Sequence, residues 1–201
     1  MNQTLLAEWC AEIEADPTRI RTRFPAAARE IGRTPGTSPE PGAERVEDDV
    51  RLLLLGALGR GLADDADRLS TEVHDLYRFG DADERRAVLL GLGLLSDELG
   101  DRAVDLLHDA LRTNDPRLVA AAVGTYAARL DDAAWRQAVL KCLFVGVPLR
   151  LVSELNRRAD DELRRMVADY AAERQAAGRE VPADALLLLS DPAPTTTTRE
   201  S

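Results

Sequence analysis

Lysine is almost absent from this sequence: Lys141 is the single ammonium side chain, and every other strongly basic residue is arginine. Histidine and cysteine are also scarce, with two of each among 201 residues. Neither a His-Glu-x-x-His nor a Cys-x-x-Cys spacing occurs, which excludes the common zinc-binding signatures. A glycine-rich phosphate loop and a Gly-x-Ser-x-Gly nucleophile motif are missing too. From these absences we expect no metal ion, no cofactor and no catalytic residue.

Signals for secretion and for membrane insertion are also lacking. The opening segment MNQTLLAEWCAEIEADP is acidic early and has no basic part, unlike a signal peptide. The longest apolar runs, 52–59 and 88–95, are far shorter than the ~20 residues that span a bilayer. A net charge of −10 opposes binding to nucleic acid and to anionic lipid, although residues 150–165 are locally basic. We expect a cytoplasmic protein with reduced thiols and neither of those partners.

Helical periodicity is what the sequence does contain, in nearly every segment. Apolar residues recur three and four positions apart, and no convincing alternating strand is found. Residues 97–114 and 115–130, for example, are each predicted as one helix. Segments of this length with short links favour antiparallel neighbours. The sequence therefore predicts an all-α fold of about ten helices, either an irregular bundle or stacked helix pairs resembling HEAT repeats, and no strict period decides between them.

A single domain is expected over residues 1–190. It starts with a helical pair at 3–31 and continues into a segment at 32–46 that is rich in glycine and proline and too irregular for a helix. We predict a mobile or extended loop there, followed by a main body at 47–190. The polar segment 191–201 has too few apolar side chains to order itself and is predicted to be a disordered tail.

The single lysine lies within the apolar segment AWRQAVLKCLF. A helical wheel at about 100° per residue places Gln137 and Lys141 on one narrow polar stripe of an otherwise apolar helix, which indicates a central helix. Three interpretations remain open: a head group that reaches water, a structural ion pair, or a ligand-binding or catalytic amine. We expect an ion pair with an acidic residue of a neighbouring helix.

A second basic side chain continues an apolar stripe near the end of the chain. Leu163, Val167 and Tyr170 recur at helical spacing, and the same face extends to Arg174. An inward-facing arginine requires a carboxylate or carbonyl partner, because burying an unpaired charge is costly. Glu173 is adjacent in sequence but does not face Arg174 on a helix. The partner of Arg174 should therefore come from another part of the chain. Three interpretations remain open: a structural buried pair, a side chain whose stem is buried while its head group reaches water, and an anion-binding site.

Three segments of the C-terminal half together resemble one known family. They are RTN at 112–114, AWRQAVLKCLF at 134–144 and LNRRADDELRRMVADYAAERQAAGREV at 155–181. Their order, spacing and residue types resemble the EboA family, whose members show a WNQMVLKALF-like segment, then RAN-x-x-L, then DYAHERWAAGR. The likeness is strongest over 112–181, whereas the first half resembles the family only in its helical character. The chain is identified as a divergent member.

The departures from the family pattern are local. Residues 124–127 stand where the family has an Asn-Pro-Tyr-Pro turn, Ala172 and Gln175 replace its histidine and tryptophan, and Asp160 replaces an asparagine. Any chemistry that depends on that histidine or that turn would be lost in this chain.

The resemblance implies a role in bacterial secondary-metabolite production or export. Such proteins are encoded beside a TatD-like metal-dependent hydrolase, a prenyltransferase-like membrane protein and sugar- or cyclitol-handling enzymes. With the lack of catalytic motifs, this favours a non-catalytic accessory subunit that binds and stabilises, or completes, the TatD-like enzyme in a hetero-oligomer. The alternative is a stand-alone enzyme or carrier that binds a small anionic metabolite through clustered arginine and lysine side chains.

The candidate ligand- or partner-binding residues come from the family-like segments. They are Arg112, Asn114, Trp135, Gln137, Lys141, Arg157, Arg158, Glu173, Arg174 and Arg179. The anionic-metabolite hypothesis predicts that several of the cationic residues converge on one pocket. It fails if they are dispersed and each is paired with a carboxylate.

Overall fold

Residues 2–34 and 40–190 are described by the computed structural model, and within these ranges the chain is helical with no β-strand. The same ranges contain twelve α-helices, ten of which have seven residues or more. The predicted all-α fold and the helix number of about ten are therefore confirmed. The predicted tail at 191–201 lies outside the described residues, as do residues 35–39 of the predicted loop.

The helices follow one another with mostly short connections. In chain order they are α1 (Gln3–Ala15), α2 (Ile20–Glu30), α3 (Val46–Gly61), α4 (Ala66–Phe79), α5 (Ala82–Gly91), α6 (Ser96–Leu99), α7 (Val104–Arg112), α8 (Pro116–Ala122), α9 (Asp132–Val145), α10 (Leu155–Arg158), α11 (Asp161–Ala176) and α12 (Ala183–Ser190). Short 3-10 turns at Pro17–Arg19, Thr125–Arg129 and Leu149–Leu151 lie between them.

Aspartate side chains fix where several helices begin. Asp65, Asp131 and Asp160 each precede a helix and accept a hydrogen bond from a backbone N–H of its first turn. At the start of α5, Asp81 and Glu84 form a reciprocal capping box. Such caps satisfy backbone donors that the first turn leaves unpaired, and each contributes about 1 kcal/mol. Part of the acid excess of the sequence thus serves to start helices.

Neither 97–114 nor 115–130 forms one helix, so both of those predictions are wrong. The first is broken between α6 and α7, where Gly100 adopts a φ of 56°. In the second range, α8 already ends at Ala122, and the chain continues as a 3-10 turn that contains Tyr126. The Tyr126 hydroxyl donates to the Gly100 carbonyl at 2.6 Å and accepts from the Ala103 N–H at 3.3 Å. One tyrosine from the second break therefore satisfies the backbone groups that the first break exposes.

The core is one contiguous set of buried side chains that reaches from α1 to α12. Helix α3 packs against α1, α2 and α5, and α5 also contacts α4 and α8. Helix α8 contacts α7 and α9, and α11 contacts both α9 and α12. The succession α3, α5, α8, α9, α11 therefore runs through the molecule, with α3 and α5 toward one end and α9 and α11 toward the other.

Charges buried between α3 and α5 are matched. Arg86 of α5 forms an ion pair with Asp48 of α3, and the two side chains are 5% and 4% exposed. Burial lowers the pKa of Arg86 to about 10, and the positive charges of Arg45 and Arg117 act in the same direction. The guanidinium still carries its charge at neutral pH, so the pair remains ionic.

The two flanks of the predicted loop at 32–46 are anchored to these helices. Arg86 donates to the Ala43 carbonyl at 2.8 Å. Thr34 donates its backbone N–H to the Glu47 carboxylate at 2.7 Å, and its hydroxyl accepts from the Val46 N–H at 2.7 Å. Burial alone would raise the pKa of Glu47, but the hydrogen bonds from Thr34 outweigh it and hold the pKa below its usual range. Both described flanks therefore lie against α3 and α5.

Candidate functional site

An open groove with a volume of about 590 Å³ lies between α7, α9 and α11. Its lining residues are His108, Leu111, Arg112, Ala134, Gln137, Ala138, Leu140, Lys141, Phe144 and Tyr170. Basic side chains from α7 and α9 are thus combined with apolar side chains, and none of these described lining residues is an aspartate or a glutamate. Because the chain has 36 acidic residues, a groove without them is a local site of positive charge.

Lys141 lies half-buried in the wall of this groove. Its ammonium donates a hydrogen bond to Asn114 Oδ1 at 2.7 Å and lies 5.8 Å from the centroid of the Phe144 ring. No carboxylate of the described residues pairs with it, so the predicted ion pair with a neighbouring helix is wrong. The partner is instead a neutral amide from the turn after α7. Since an ammonium has three N–H donors, donors remain for a ligand in the groove.

Helix α9 presents its groove residues through simple helical spacing. Gln137, Lys141 and Phe144 are four and three residues apart and share one face. The opposite face is buried and includes Trp135. The helix ends at Gly146, which adopts the left-handed conformation with a φ of 78°. The predicted polar stripe of Gln137 and Lys141 is therefore confirmed, and it faces the groove.

The predicted set lacks seven of the ten lining residues, and three of these seven have polar or aromatic side chains: His108, Phe144 and Tyr170. Phe144 is 66% exposed, and its position three residues after Lys141 was a usable signal. His108 precedes Arg112 by one helical turn, which was a signal of the same kind. Tyr170 gave none, because its place depends on how α11 packs on α9. Its hydroxyl donates to the Leu143 carbonyl at 3.2 Å and ties the two helices together.

Arg112 stands where the groove meets a second depression of about 700 Å³ along α4 and α7. It donates to the Asp109 carboxylate at 2.8 Å, and the Tyr77 hydroxyl donates to the same carboxylate at 3.0 Å. Burial, together with the hydrogen bond to Asp109, raises the pKa of Tyr77 far above its usual value. The charge of Arg112 is therefore balanced, whereas that of Lys141 is not.

His74, in the second depression, belongs to an arrangement with the composition of a catalytic triad. Its Nε2 lies 3.0 Å from Asp105 Oδ1, and its Nδ1 lies 3.4 Å from the Ser70 hydroxyl. The same Nδ1 is 2.7 Å from the Ser70 backbone carbonyl. A nitrogen that donates to a carbonyl cannot also take a proton from a serine hydroxyl. The cluster therefore does not activate Ser70 as a nucleophile.

Trp135 and Arg158, both predicted as binding residues, form a structural cluster away from the groove. The Arg158 guanidinium lies 4.9 Å from the centroid of the Trp135 ring. It donates to the Leu130 carbonyl at 2.9 Å and to the Asp132 carboxylate at 2.7 Å. Trp135 is 1% exposed. These contacts hold α10 against the start of α9.

Arg157, Glu173 and Arg179 are also outside the groove lining. Arg157 pairs with Glu154 through contacts of 3.0 and 2.6 Å. Glu173 and Arg179 are exposed near the end of α11. Of the predicted residues, Arg112, Gln137 and Lys141 therefore line the groove and Asn114 contacts Lys141 beside it, whereas these three lie elsewhere.

Arg174 is half-buried beside the groove, next to one of its lining residues. Its guanidinium lies 5.7 Å from the centroid of the Tyr170 ring and donates to the Glu180 backbone carbonyl at 2.6 Å. Arg174 was predicted to have a carboxylate or carbonyl partner other than Glu173. The prediction is confirmed, and the partner is the Glu180 carbonyl. Arg174 therefore supports Tyr170 at the edge of the groove.

The thiols do not provide reactive groups at neutral pH. Burial raises the pKa of Cys142 to about 12. Burial also raises the pKa of Cys10, while the nearby Arg60 opposes the shift only in part. Both thiols therefore stay protonated. Among the described residues, no group of three or more His, Cys, Asp or Glu side chains is placed to hold a metal ion. No helix in the described ranges has both the length and the apolar character needed to cross a membrane.

The fold and the groove together define an all-helical protein with a basic, apolar-walled groove. A family model described as "Metabolite traffic protein EboA" matches residues 27–189. Because this match covers most of the chain, the chain belongs to the EboA family and the resemblance is confirmed. The match also extends far into the N-terminal half, where sequence reasoning saw only a shared helical character. No curated protein and no solved structure matches the chain.

Proposed function

We propose that this chain is a non-catalytic binding protein of metabolite traffic whose groove holds a small anionic metabolite. One observation carries the proposal: the half-buried ammonium of Lys141 meets a neutral amide, in a groove whose described lining has no carboxylate. A half-buried cation without a balancing charge favours an anionic partner. The family description as a metabolite traffic protein supports the same kind of ligand.

The lining of the groove specifies the ligand further. Lys141 supplies the remaining ammonium donors, and Gln137 lies beside it on the same helix face. Phe144 and Leu140 offer an apolar surface next to these polar groups. A phosphate or carboxylate attached to an aromatic or aliphatic body matches this combination, because the anion binds the ammonium and the body covers the exposed ring.

The distribution of the cations favours a carrier over a stand-alone enzyme. Arg112 and Lys141 line the groove, and Arg174 lies beside it against Tyr170. Arg157 and Arg158 are elsewhere and are paired with carboxylates. Two of the predicted cations therefore line the groove and a third lies beside it, which is enough to bind one anionic group.

Titration with phenyl phosphate, followed by isothermal calorimetry, tests the proposal. Lys141→Gln keeps a donor for Asn114 but removes the charge, so the affinity should fall by about tenfold, the effect of one charge-assisted hydrogen bond. Arg157→Gln is the matched control, since it removes a cation that is paired with Glu154 outside the groove. It should leave the affinity unchanged. Failure of phenyl phosphate to bind, or equal losses in the two variants, would contradict the proposal.

The second candidate function is the accessory subunit of a TatD-like metal-dependent hydrolase in the bacterial cytoplasm, in a pathway of secondary-metabolite biosynthesis. Its support is the number of large apolar side chains that lie exposed away from the groove, among them Leu53, Phe79 and Leu94. Exposed apolar patches on a folded chain are typical of protein contacts. A carrier and an accessory subunit are compatible, because they use different surfaces.

Co-expression with the TatD-like protein, followed by size-exclusion chromatography, tests this second candidate. A stable hetero-oligomer should elute ahead of either chain at micromolar concentration. Separate elution of the two proteins would count against the partnership and would leave the proposal for the groove intact.

A further inference from the structure

An apolar surface with acidic edges lies at the other end of the molecule, between α3 and the segment from α5 to α6. We call it the α3–α6 surface and define it by Asp49, Leu53, Gly56, Leu94 and Glu98, which line a depression of about 590 Å³. Leu53 and Leu94 are 51% and 60% exposed. Two large exposed leucines on facing elements are typical of a docking groove for a helix.

Gly56, in the middle of this surface, has no explanation within the fold. Glycine in a helix interior is destabilising relative to alanine, so a packing reason is expected. A Cβ added at Gly59 would lie 2.6 Å from Leu95 Cδ2, and one added at Gly91 would collide with the buried Leu55. A Cβ added at Gly56 would meet only Arg60 Nη1, at an ordinary 3.5 Å. The missing side chain therefore leaves the α3 backbone open to a close approach from outside.

The free charges of the α3–α6 surface are acidic. Glu98 Oε2 is buried and has no donor among the described residues. Asp49 is exposed and likewise forms no ion pair with a described side chain. The basic residue at this surface, Arg60, is already engaged by Glu14 at 2.6 Å. A buried carboxylate oxygen without a donor is costly, so an incoming cation would be favoured here.

From these features we propose that the α3–α6 surface docks an amphipathic helix of a partner protein, with small and apolar residues on one face and a lysine or arginine at its edge. The apolar face would cover Leu53 and Leu94, and its backbone would approach α3 at Gly56. The basic side chain would donate to Glu98. The complementary charge selects a basic helix, because an acidic one would meet Asp49 and Glu98 with like charge. The inference does not depend on the function proposed for the Lys141 groove.

A synthetic helical peptide provides the probe. It carries leucine and alanine on one face and lysine at the edge, with a fluorescent label, and it is compared with the same peptide in which glutamate replaces every lysine. Fluorescence anisotropy with the full chain should show binding of the lysine peptide that is at least about tenfold tighter than that of the glutamate peptide. Equal binding of the two peptides, or no binding of the lysine peptide, overturns the proposal.

Variants separate a specific groove from general attraction to an acidic protein. Gly56→Gln fills the open backbone position and should weaken lysine-peptide binding by about tenfold, and Glu98→Gln should weaken it several-fold. Leu187→Ala, which changes an exposed leucine on α12, should have no effect. Unchanged binding in Gly56→Gln would overturn the docking site.

Two further measurements test whether the fold itself requires Gly56 and whether a second copy of the chain occupies the surface. Gly56→Ala should raise the Tm by roughly 2–4 °C, because only helix propensity changes. A lowered Tm would mean that the fold itself requires this glycine, which contradicts the inference. Sedimentation of the unmodified chain addresses a second copy as the occupant. A dimer that Gly56→Gln dissociates would overturn the proposal of a basic partner helix.

Discussion

The two open surfaces of this protein are electrostatic opposites. In the groove between α7, α9 and α11, a cation lies among apolar side chains without a carboxylate in the described lining. On the α3–α6 surface, Asp49 and Glu98 flank exposed leucines, and the nearby Arg60 is already paired. Between them, in the core, Arg86 and Asp48 match each other. The charges of this buried pair are therefore balanced, whereas those of Lys141, Asp49 and Glu98, beside exposed apolar surface, are not.

This difference helps to tell binding surfaces from ordinary exposed apolar residues. Leu186 and Leu187 of α12 are also more than half exposed, but the cation beside this helix, Arg164, is half-buried and already donates to the Leu188 carbonyl at 2.9 Å. Scattered exposed apolar side chains are normal on folded proteins. A local charge imbalance next to apolar surface carries more information, because it specifies the sign of the ligand. On that basis the two surfaces should bind ligands of opposite charge.

The largest loss in the free energy of unfolding is expected when the buried ion pair of Arg86 and Asp48 is broken. Arg86→Met leaves the Asp48 carboxylate buried without its partner and should destabilise the chain by about 3–5 kcal/mol. Lys141→Met is the matched control and should cost less than about 1 kcal/mol, because the head group is only half-buried and has a neutral partner. Urea denaturation of both variants measures the difference. Similar losses in the two variants would show that Lys141 is as structural as Arg86.

A smaller effect is expected from glycines at contrasting positions. Gly91→Ala places a Cβ against the fully buried Leu55 and should destabilise the fold by about 1–3 kcal/mol through overpacking. Gly56→Ala has space and should stabilise it by roughly 0.5–1 kcal/mol. Thermal denaturation compares the two substitutions. If both substitutions destabilise the chain, the fold requires Gly56 as it requires Gly91. The difference between the α3–α6 surface and the core would then not hold at this position.

The helical class and one wall of the groove could be predicted from the sequence, because both depend on the spacing of residues within a helix. Helical periodicity and the spacing of Gln137 and Lys141 are local properties, and both predictions are confirmed. The partner of Lys141 is not local, because Asn114 lies 27 residues away in a turn whose position depends on tertiary packing. The predicted ion pair is wrong because the turn that faces Lys141 contributes a neutral amide, and the spacing of residues on α9 cannot reveal which side chain faces them.

The breaks around Gly100 show the same limit for the fold. A periodic apolar pattern continues through 97–114, but Gly100 adopts a positive φ and Tyr126 satisfies the exposed backbone. The pattern alone cannot reveal such a break, because the tyrosine that stabilises it lies 26 residues away. The α3–α6 surface was equally out of reach, since its recognition requires knowing what a Cβ at Gly56 would meet.

The smallest loss of stability is expected for a half-buried ion pair, Asp160 and Arg136. The hydrogen bond from Arg136 holds the pKa of Asp160 below its usual range, so the charged pair stabilises the folded state above the unfolded pKa of about 3.9. This contribution is lost as the pH falls through the lower folded pKa. Asp160→Asn retains a helix cap and should cost less than about 1 kcal/mol at pH ~7. The cost should shrink as the pH is lowered below the unfolded pKa of about 3.9, as unfolding measured across pH would show, and a cost that stays constant in acid would contradict this account.

Mapping of amide chemical shifts by NMR during titration with phenyl phosphate tests the central claim most directly. An anionic probe should perturb the amides of Asn114, Gln137 and Lys141 and leave those of Leu53, Gly56 and Leu94 unchanged, because of these two surfaces the groove alone has a described cation that no carboxylate balances. Perturbations centred on the α3–α6 surface, or spread equally over both surfaces, would contradict the assignment of opposite ligands to them.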